Sequence, residues 1–222
     1  MRELILLLIY SIPVGFLLYT LINKKYRKNF LCFKIVCSSC FLVISFLCAI
    51  GGSGLVNYLY VFPAFFMCFA GDILLGFFNL NKRKNFFILG LLFFLTGHIF
   101  FLTFYCRIVQ LHVVDVIFPI CAVLVLPFFI HKRKMVIGKL KPFVFIYAFF
   151  VSFLFSKSML LFLKLHTLQT GLLACGSFLF MISDLLILFL YFYRNRRWIT
   201  HGLNLATYYY GMFLLALSLL YT

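Results

Sequence analysis

An all-α membrane bundle of about eight transmembrane helices is the fold this sequence predicts, and three observations predict it. Of the 222 residues, 66% are apolar and only 11% are charged, against about 25% charged in soluble domains. The apolar residues fall in continuous runs of roughly 20, the length of a membrane-crossing helix, without the alternation of a membrane β-strand. The net charge is +16, and the Lys and Arg that carry it sit in short clusters between the runs. In a soluble chain that excess would point to nucleic acid. Clustered between spans, it is the pattern of loops facing an anionic leaflet. The expected partner is therefore the lipid bilayer and not nucleic acid.

The runs, in order, cover residues 4–22, 31–50, 58–80, 86–105, 113–130, 142–156, 166–193 and 203–221, one multi-pass transmembrane domain over 1–222. The first is followed, not preceded, by its basic cluster and has no A-x-A cleavage pattern, so it reads as a retained helix rather than a secretory signal. The sixth is short if it stops before Lys157. The seventh is long enough to tilt or to run past the bilayer. Fifteen of the 20 Lys and Arg lie in the odd-numbered connections: Lys24, Lys25, Arg27 and Lys28; Lys82, Arg83 and Lys84; Lys132, Arg133, Lys134, Lys139 and Lys141; Arg194, Arg196 and Arg197. The even connections and the tails hold four, Arg2, Arg107, Lys157 and Lys164, with Lys34 left inside the second span. The positive-inside rule then predicts cytoplasmic odd connections and both termini outside, most simply in the cell membrane.

Eight cysteines suggest a disulfide framework only until they are placed. Nearly all fall inside apolar runs, where Cys acts as a small hydrophobe. Cys37-Ser-Ser-Cys40 matches C-x-x-C but lacks a second Cys or His pair nearby. Neither a metal nor a bound cofactor is expected.

Only four residues are acidic, Glu3, Asp72, Asp115 and Asp184. Glu3 is terminal, and Asp115 at the end of the fifth span suits a helix cap. Asp72, in FAGDILLG, and Asp184, in FLFMISDLL, are different. A carboxylate at mid-bilayer costs roughly 2.5–3.5 kcal/mol on insertion scales, so it reads as functional by default. Each lies ten residues before a basic residue, Lys82 or Arg194, which is about 15 Å along a helix and sets both at similar depth. The two segments also align at an offset of 112 residues, with Phe66 over Phe178, Leu74 over Leu186 and Phe77 over Phe189. That offset spans four helices and suggests a parallel 4+4 repeat with the carboxylates facing each other, although such matches arise readily by chance in a chain rich in Phe and Leu. Two carboxylates at one depth in low dielectric are not both comfortably ionised, so one tends to hold a proton, a general acid beside a general base. The bland alternative is helix-to-helix hydrogen bonding. His98 lies inside the fourth span, Tyr208 and Tyr209 open the eighth, and Lys34 either snorkels to the interface or meets a phosphate.

These stretches resemble the YhhN-like lysoplasmalogenase family of eight-span membrane hydrolases. The likeness runs from the second span onward and rests on AGDILLGF around Asp72 with GHIFFLTFY downstream, on GSFLFMISDLLILF, and on Tyr208-Tyr209. It implies cleavage of the vinyl ether of a lysophospholipid, a lysoplasmalogen, to a fatty aldehyde and a glycerophospho-base. Asp72 and Asp184 would be catalytic, and Lys34, His98, Ser183, Tyr208 and Tyr209 would bind substrate. The chain departs from the family pattern at Met212, where Gln is usual, at Phe101, where Tyr is frequent, and at Ile35, where Pro follows the Lys. Two rival readings use the same residues: a small proton-coupled transporter, for which matched Gly or Pro breaks at midplane would speak, and a non-catalytic lipid-binding relative, for which Met212 would.

Overall fold

The computed structural model describes residues 2–193 and 198–221; the basic cluster Arg194, Arg196 and Arg197 lies outside them. Eight helices follow in order: α1 (Arg2–Ile22), α2 (Phe30–Gly51), α3 (Gly54–Asn81), α4 (Lys84–Ile108), α5 (Val114–Lys132), α6 (Lys141–Leu165), α7 (Leu168–Phe192) and α8 (Trp198–Leu217). Short 3-10 turns cover Lys24–Asn29, Gly138–Leu140 and Ser218–Leu220, and there is no strand among the described residues. All eight helices are long and apolar enough to cross a membrane, which makes the chain a multi-pass membrane protein. A helix satisfies every backbone hydrogen bond internally, as a hydrocarbon solvent demands.

The ends follow local chemistry. Asn23 caps the 3-10 turn after α1 by accepting from the Lys25 backbone N–H. Lys82 and His166 stop α3 and α6 in the left-handed conformation. Thr167 and Thr170 form a reciprocal capping box that opens α7. The sixth expected span needs correction, because α6 continues to Leu165 and carries Lys157 inside it. The charge is accommodated by a partner far away in sequence: Lys157 Nζ lies 2.9 Å from Asp115 Oδ2, and both are buried. Asp115 also accepts the His112 backbone N–H at 2.7 Å, so it is fixed at the start of α5. The seventh span is not unusual either; α7 has 25 residues, as do α4 and α6.

Two helical hairpins form the centre. α3 packs on α4, and α7 on α8, over the longest contacts in the molecule. Small residues allow both. A Cβ on Gly71 would stand 3.2 Å from the Gly90 carbonyl oxygen, and one on Gly211 would stand 3.0 Å from that of Gly176. Close backbone approach through small residues is how helices associate where no hydrophobic drive separates protein from lipid. α2 then bridges α3 and α8, while α6 bridges α7 and α4.

The helix bounds repeat at the offset of 112. Arg2 maps to Val114, the first residue of α5, and Phe30 maps one residue beyond the start of α6. The contacts α2 with α8 and α6 with α4 exchange under the same shift. At one end, Tyr191 Oη donates to Asn79 Oδ1 at 3.4 Å, a contact between residues that the offset makes equivalent. The halves differ in one respect. α1 packs on both α2 and α8, whereas its counterpart α5 packs on α6 without a comparable contact to α4. Pro13, Pro63, Pro119 and Pro127 all sit within continuous helices and form no pair at the repeat offset.

Candidate functional site

Besides the Asp115–Lys157 pair, two buried polar centres lie within the bundle, one around Asp72 and one around Asp184. The first is closed. Asp72 is 1% exposed. Its Oδ2 accepts from Ser38 Oγ at 2.6 Å and from Tyr208 Oη at 2.8 Å, and Lys34 Nζ stands 3.1 Å from Oδ1. Lys34 and Ser38 are one turn apart on α2, so both reach the same carboxylate. Lys34 is therefore turned inward onto Asp72 and does not snorkel to the interface. Tyr209 Oη lies 3.2 Å from both the Lys34 carbonyl oxygen and Ser38 Oγ, and its own carbonyl accepts from Tyr10 Oη at 3.1 Å. α1, α2, α3 and α8 are thus joined through one neutral ion pair and its hydrogen bonds.

The second centre is less saturated. Asp184 on α7 faces His98 on α4, with His98 Nε2 3.2 Å from Asp184 Oδ2. The other ring nitrogen, Nδ1, lies 2.7 Å from the Phe94 carbonyl oxygen. A carbonyl can only accept, so Nδ1 carries a proton. If Asp184 were ionised and Nε2 bare, two lone pairs would confront each other at 3.2 Å. A proton placed between them, on either group, would turn that repulsion into attraction. Tyr147 on α6 faces the same carboxyl. Tyr147 Oη, His98 Nε2 and Asp184 Oδ2, all buried, make no hydrogen bond of regular geometry.

Asp184 and Tyr147 lie on the wall of an apolar cavity of about 230 Å³. Leu91 of α4, Phe118 and Ala122 of α5, Val151 of α6 and Leu188 of α7 supply much of the rest. The cavity occupies the gap left where α5 does not close on α4. In the first half the corresponding space is filled by Tyr10, Val14 and Leu17 of α1, all fully buried.

The expected site residues therefore separate. Asp184 and His98 meet; Asp72, Lys34, Tyr208 and Tyr209 meet elsewhere; no hydrogen bond joins Asp72 to Asp184 among the described residues. Packed rings connect the centres: Phe180 lies tilted 4.6 Å from His98 and edge-on 5.4 Å from Tyr208 between ring centroids. Ser183 takes a third role. Asn204 Nδ2 donates to its Oγ at 2.9 Å and to its carbonyl at 2.8 Å, which ties α7 to α8. Met212 and Phe101 are core residues with almost no exposure. Ser38 and Tyr147 were not singled out from the sequence. Ser38 had a local signal, one turn from Lys34; Tyr147 is one residue beyond the repeat counterpart of Lys34, position 146, and had no other signal. No cluster of His, Cys, Asp or Glu able to hold a metal occurs among the described residues.

Eight spans around buried acid–base groups define a polytopic membrane protein with an intramembrane polar site. The chain belongs to the YhhN family, whose model matches residues 29–219. That membership suggests lysoplasmalogenase-like function and is consistent with hydrolase activity. No match is found among curated proteins or among solved structures.

Proposed function

We propose that the protein hydrolyses the vinyl ether of a lysoplasmalogen within the membrane, giving a fatty aldehyde and a glycerophospho-base. One observation carries the reading: a carboxyl group with a histidine nitrogen 3.2 Å from it stands on the wall of an apolar cavity. Apolar walls suit an alkenyl chain, and the ether carbon atoms would then lie beside Asp184.

The chemistry needs no more than these groups. Asp184, in its protonated form, protonates the β-carbon of the vinyl ether, and the double-bond electrons form the new C–H bond. The α-carbon and ether oxygen become an oxocarbenium ion beside the carboxylate just formed, which offsets its charge. The logic parallels that of paired carboxyls acting on glycosidic oxocarbenium transition states. The carboxylate–imidazole pair then takes a proton from the attacking water, which restores the starting state. The hemiacetal collapses to aldehyde and alcohol, with one water consumed. Tyr147 orients the carboxyl. Asp72 does not line this cavity and acts as a positioning residue: it holds Tyr208, whose ring presses on Phe180 beside His98. This gives the two aspartates different tasks, where the sequence left them equivalent.

The test is aldehyde release from a lysoplasmalogen in mixed micelles by purified wild type, Asp184→Asn and His98→Gln. Loss of a positioned general acid is expected to lower the rate by about a hundredfold or more. A folded wild type that releases no aldehyde, or an Asp184→Asn variant as active as wild type, overturns the proposal.

A further inference from the structure

The cavity beside Asp184 has an arm that runs from the carboxyl towards the basic end of the bundle. On α7 the wall extends from Asp184 to Phe192, about 12 Å at the rise of a helix. On α6 it extends from Tyr147 back to Phe143, about 6 Å. Asp184, Leu188 and Phe192 are spaced by four, so they share one face of α7 and look into the same space. With Leu126, Val144 and Ile187 they leave no polar side chain beyond Asp184 and Tyr147 in this direction, among the described residues. Ser152, the other polar residue on the wall, lies on the opposite side of Tyr147 along α6. A polar group in the arm would lose its water without replacement, so the arm takes the hydrocarbon end of a ligand.

The far end of the arm is floored by the connection between α5 and α6. Met135 and Ile137 form one buried apolar cluster with Leu126 and Val144, and Phe192 packs against it. The Val136 backbone N–H donates to the Phe192 carbonyl oxygen at 3.0 Å, which fixes the connection across the end of α7. The flank near Asp184 differs, because Phe118 and Leu185 on the wall are both exposed on the lipid side. A chain that enters there and lies along the arm meets a stop. Bonds of about 1.5 Å zigzag to an advance of about 1.25 Å per carbon, so the arm holds roughly five to ten carbons.

We propose that this arm selects the substrate by chain length, taking an alkenyl group of medium length with roughly five to ten carbons beyond the double bond, and that Leu188 and Phe192 set the limit. The placement of the ether at Asp184 is that of the hydrolase reading, on which this selection rests. A longer chain must buckle against the Phe192 ring or draw the ether away from Asp184. Close packing at the floor makes the first costly, and the second removes the bond from the acid.

The experiment titrates purified full-length protein, in a steroid-based detergent without an alkyl chain, with saturated octyl, decyl, dodecyl and hexadecyl ethers of glycerophosphocholine. These have no vinyl ether to cleave, so binding is read apart from turnover. Aldehyde release from the matching alkenyl lysolipids is measured in parallel. Wild type, Leu188→Phe and Phe192→Ala are compared, with Leu124→Phe on the exposed face of α5 as control and thermal unfolding as the check on folding. Wild type is expected to bind the octyl to dodecyl ethers and the hexadecyl ether about tenfold more weakly, the scale of overpacking. Leu188→Phe should weaken the dodecyl ether about tenfold relative to the octyl, Phe192→Ala should bring the hexadecyl ether level with the dodecyl, and Leu124→Phe should follow wild type. The proposal is overturned if affinity does not fall from dodecyl to hexadecyl, if Leu188→Phe and Phe192→Ala keep the wild-type order, or if Leu124→Phe shifts it as much. A length limit in binding with no aldehyde from any alkenyl lipid keeps the pocket and sinks the hydrolase reading. Aldehyde released equally at every length keeps the hydrolase and sinks the selection.

Discussion

Lys34 and Asp72 show how a charge survives in the middle of a bilayer. A single buried ion costs several kcal/mol even after relaxation, and a partner offsets this only with good geometry and further hydrogen bonds. Asp72 has its cation, Lys34, 3.1 Å from Oδ1, where no hydrogen bond of regular geometry forms, and its hydrogen bonds at Oδ2, from Ser38 and Tyr208. Lys34→Met leaves the carboxylate buried without its cation and is expected to destabilise the protein by about 3–5 kcal/mol. The double variant Lys34→Met/Asp72→Asn removes both charges and should recover most of that loss. Thermal unfolding in detergent reads both, and a double variant no more stable than Lys34→Met contradicts the pairing. Both residues were visible in the sequence as ionisable groups within apolar runs, because their cost in hydrocarbon makes them conspicuous. Their pairing was not visible, since 38 positions separate them along the chain and only the packing of α2 on α3 brings them together. Tyr147 was less legible still, as a tyrosine in an apolar run is unremarkable until Asp184 stands opposite it.

At the level of the helix, glycines separate faces that touch protein from faces that touch lipid. Gly211 faces the α7 backbone, where an added Cβ would lie 3.0 Å from the Gly176 carbonyl oxygen and 3.2 Å from the Phe180 nitrogen. Gly15 on α1 has nothing within 4 Å. Gly211→Ala must therefore push α8 from α7 and is expected to cost about 1–3 kcal/mol. Gly15→Ala gains helix propensity without a clash and should be neutral or stabilising by up to about 1 kcal/mol. Equal unfolding midpoints for the two variants would contradict the close approach of α7 and α8. The number of helices was legible because each apolar run is its own signal. The extent of α6 was not, because Lys157 looks like a loop residue until Asp115, on another helix, neutralises it.

Across the whole molecule, charge and repeat are related. Two four-helix halves at an offset of 112 keep the same direction, so their basic connections fall at the same end. The structure sharpens the asymmetry between the ends. Of the four Lys and Arg assigned to the other side, Lys157 is buried against Asp115, and Arg107 lies 3.4 Å over the Tyr60 ring. With Lys157 neutralised by Asp115, the end with the termini presents one cation fewer to a leaflet than a count along the chain implies. Loops rich in Lys and Arg remain on the cytoplasmic side during insertion, so both termini are expected outside. Reporter fusions after Thr222 test this directly. Alkaline phosphatase, active only after export, should be active there, and green fluorescent protein, which fluoresces when left in the cytoplasm, should be dark. The reverse pattern would put the basic connections on the outer face, away from the anionic cytoplasmic leaflet, and would contradict the orientation that the charge distribution predicts.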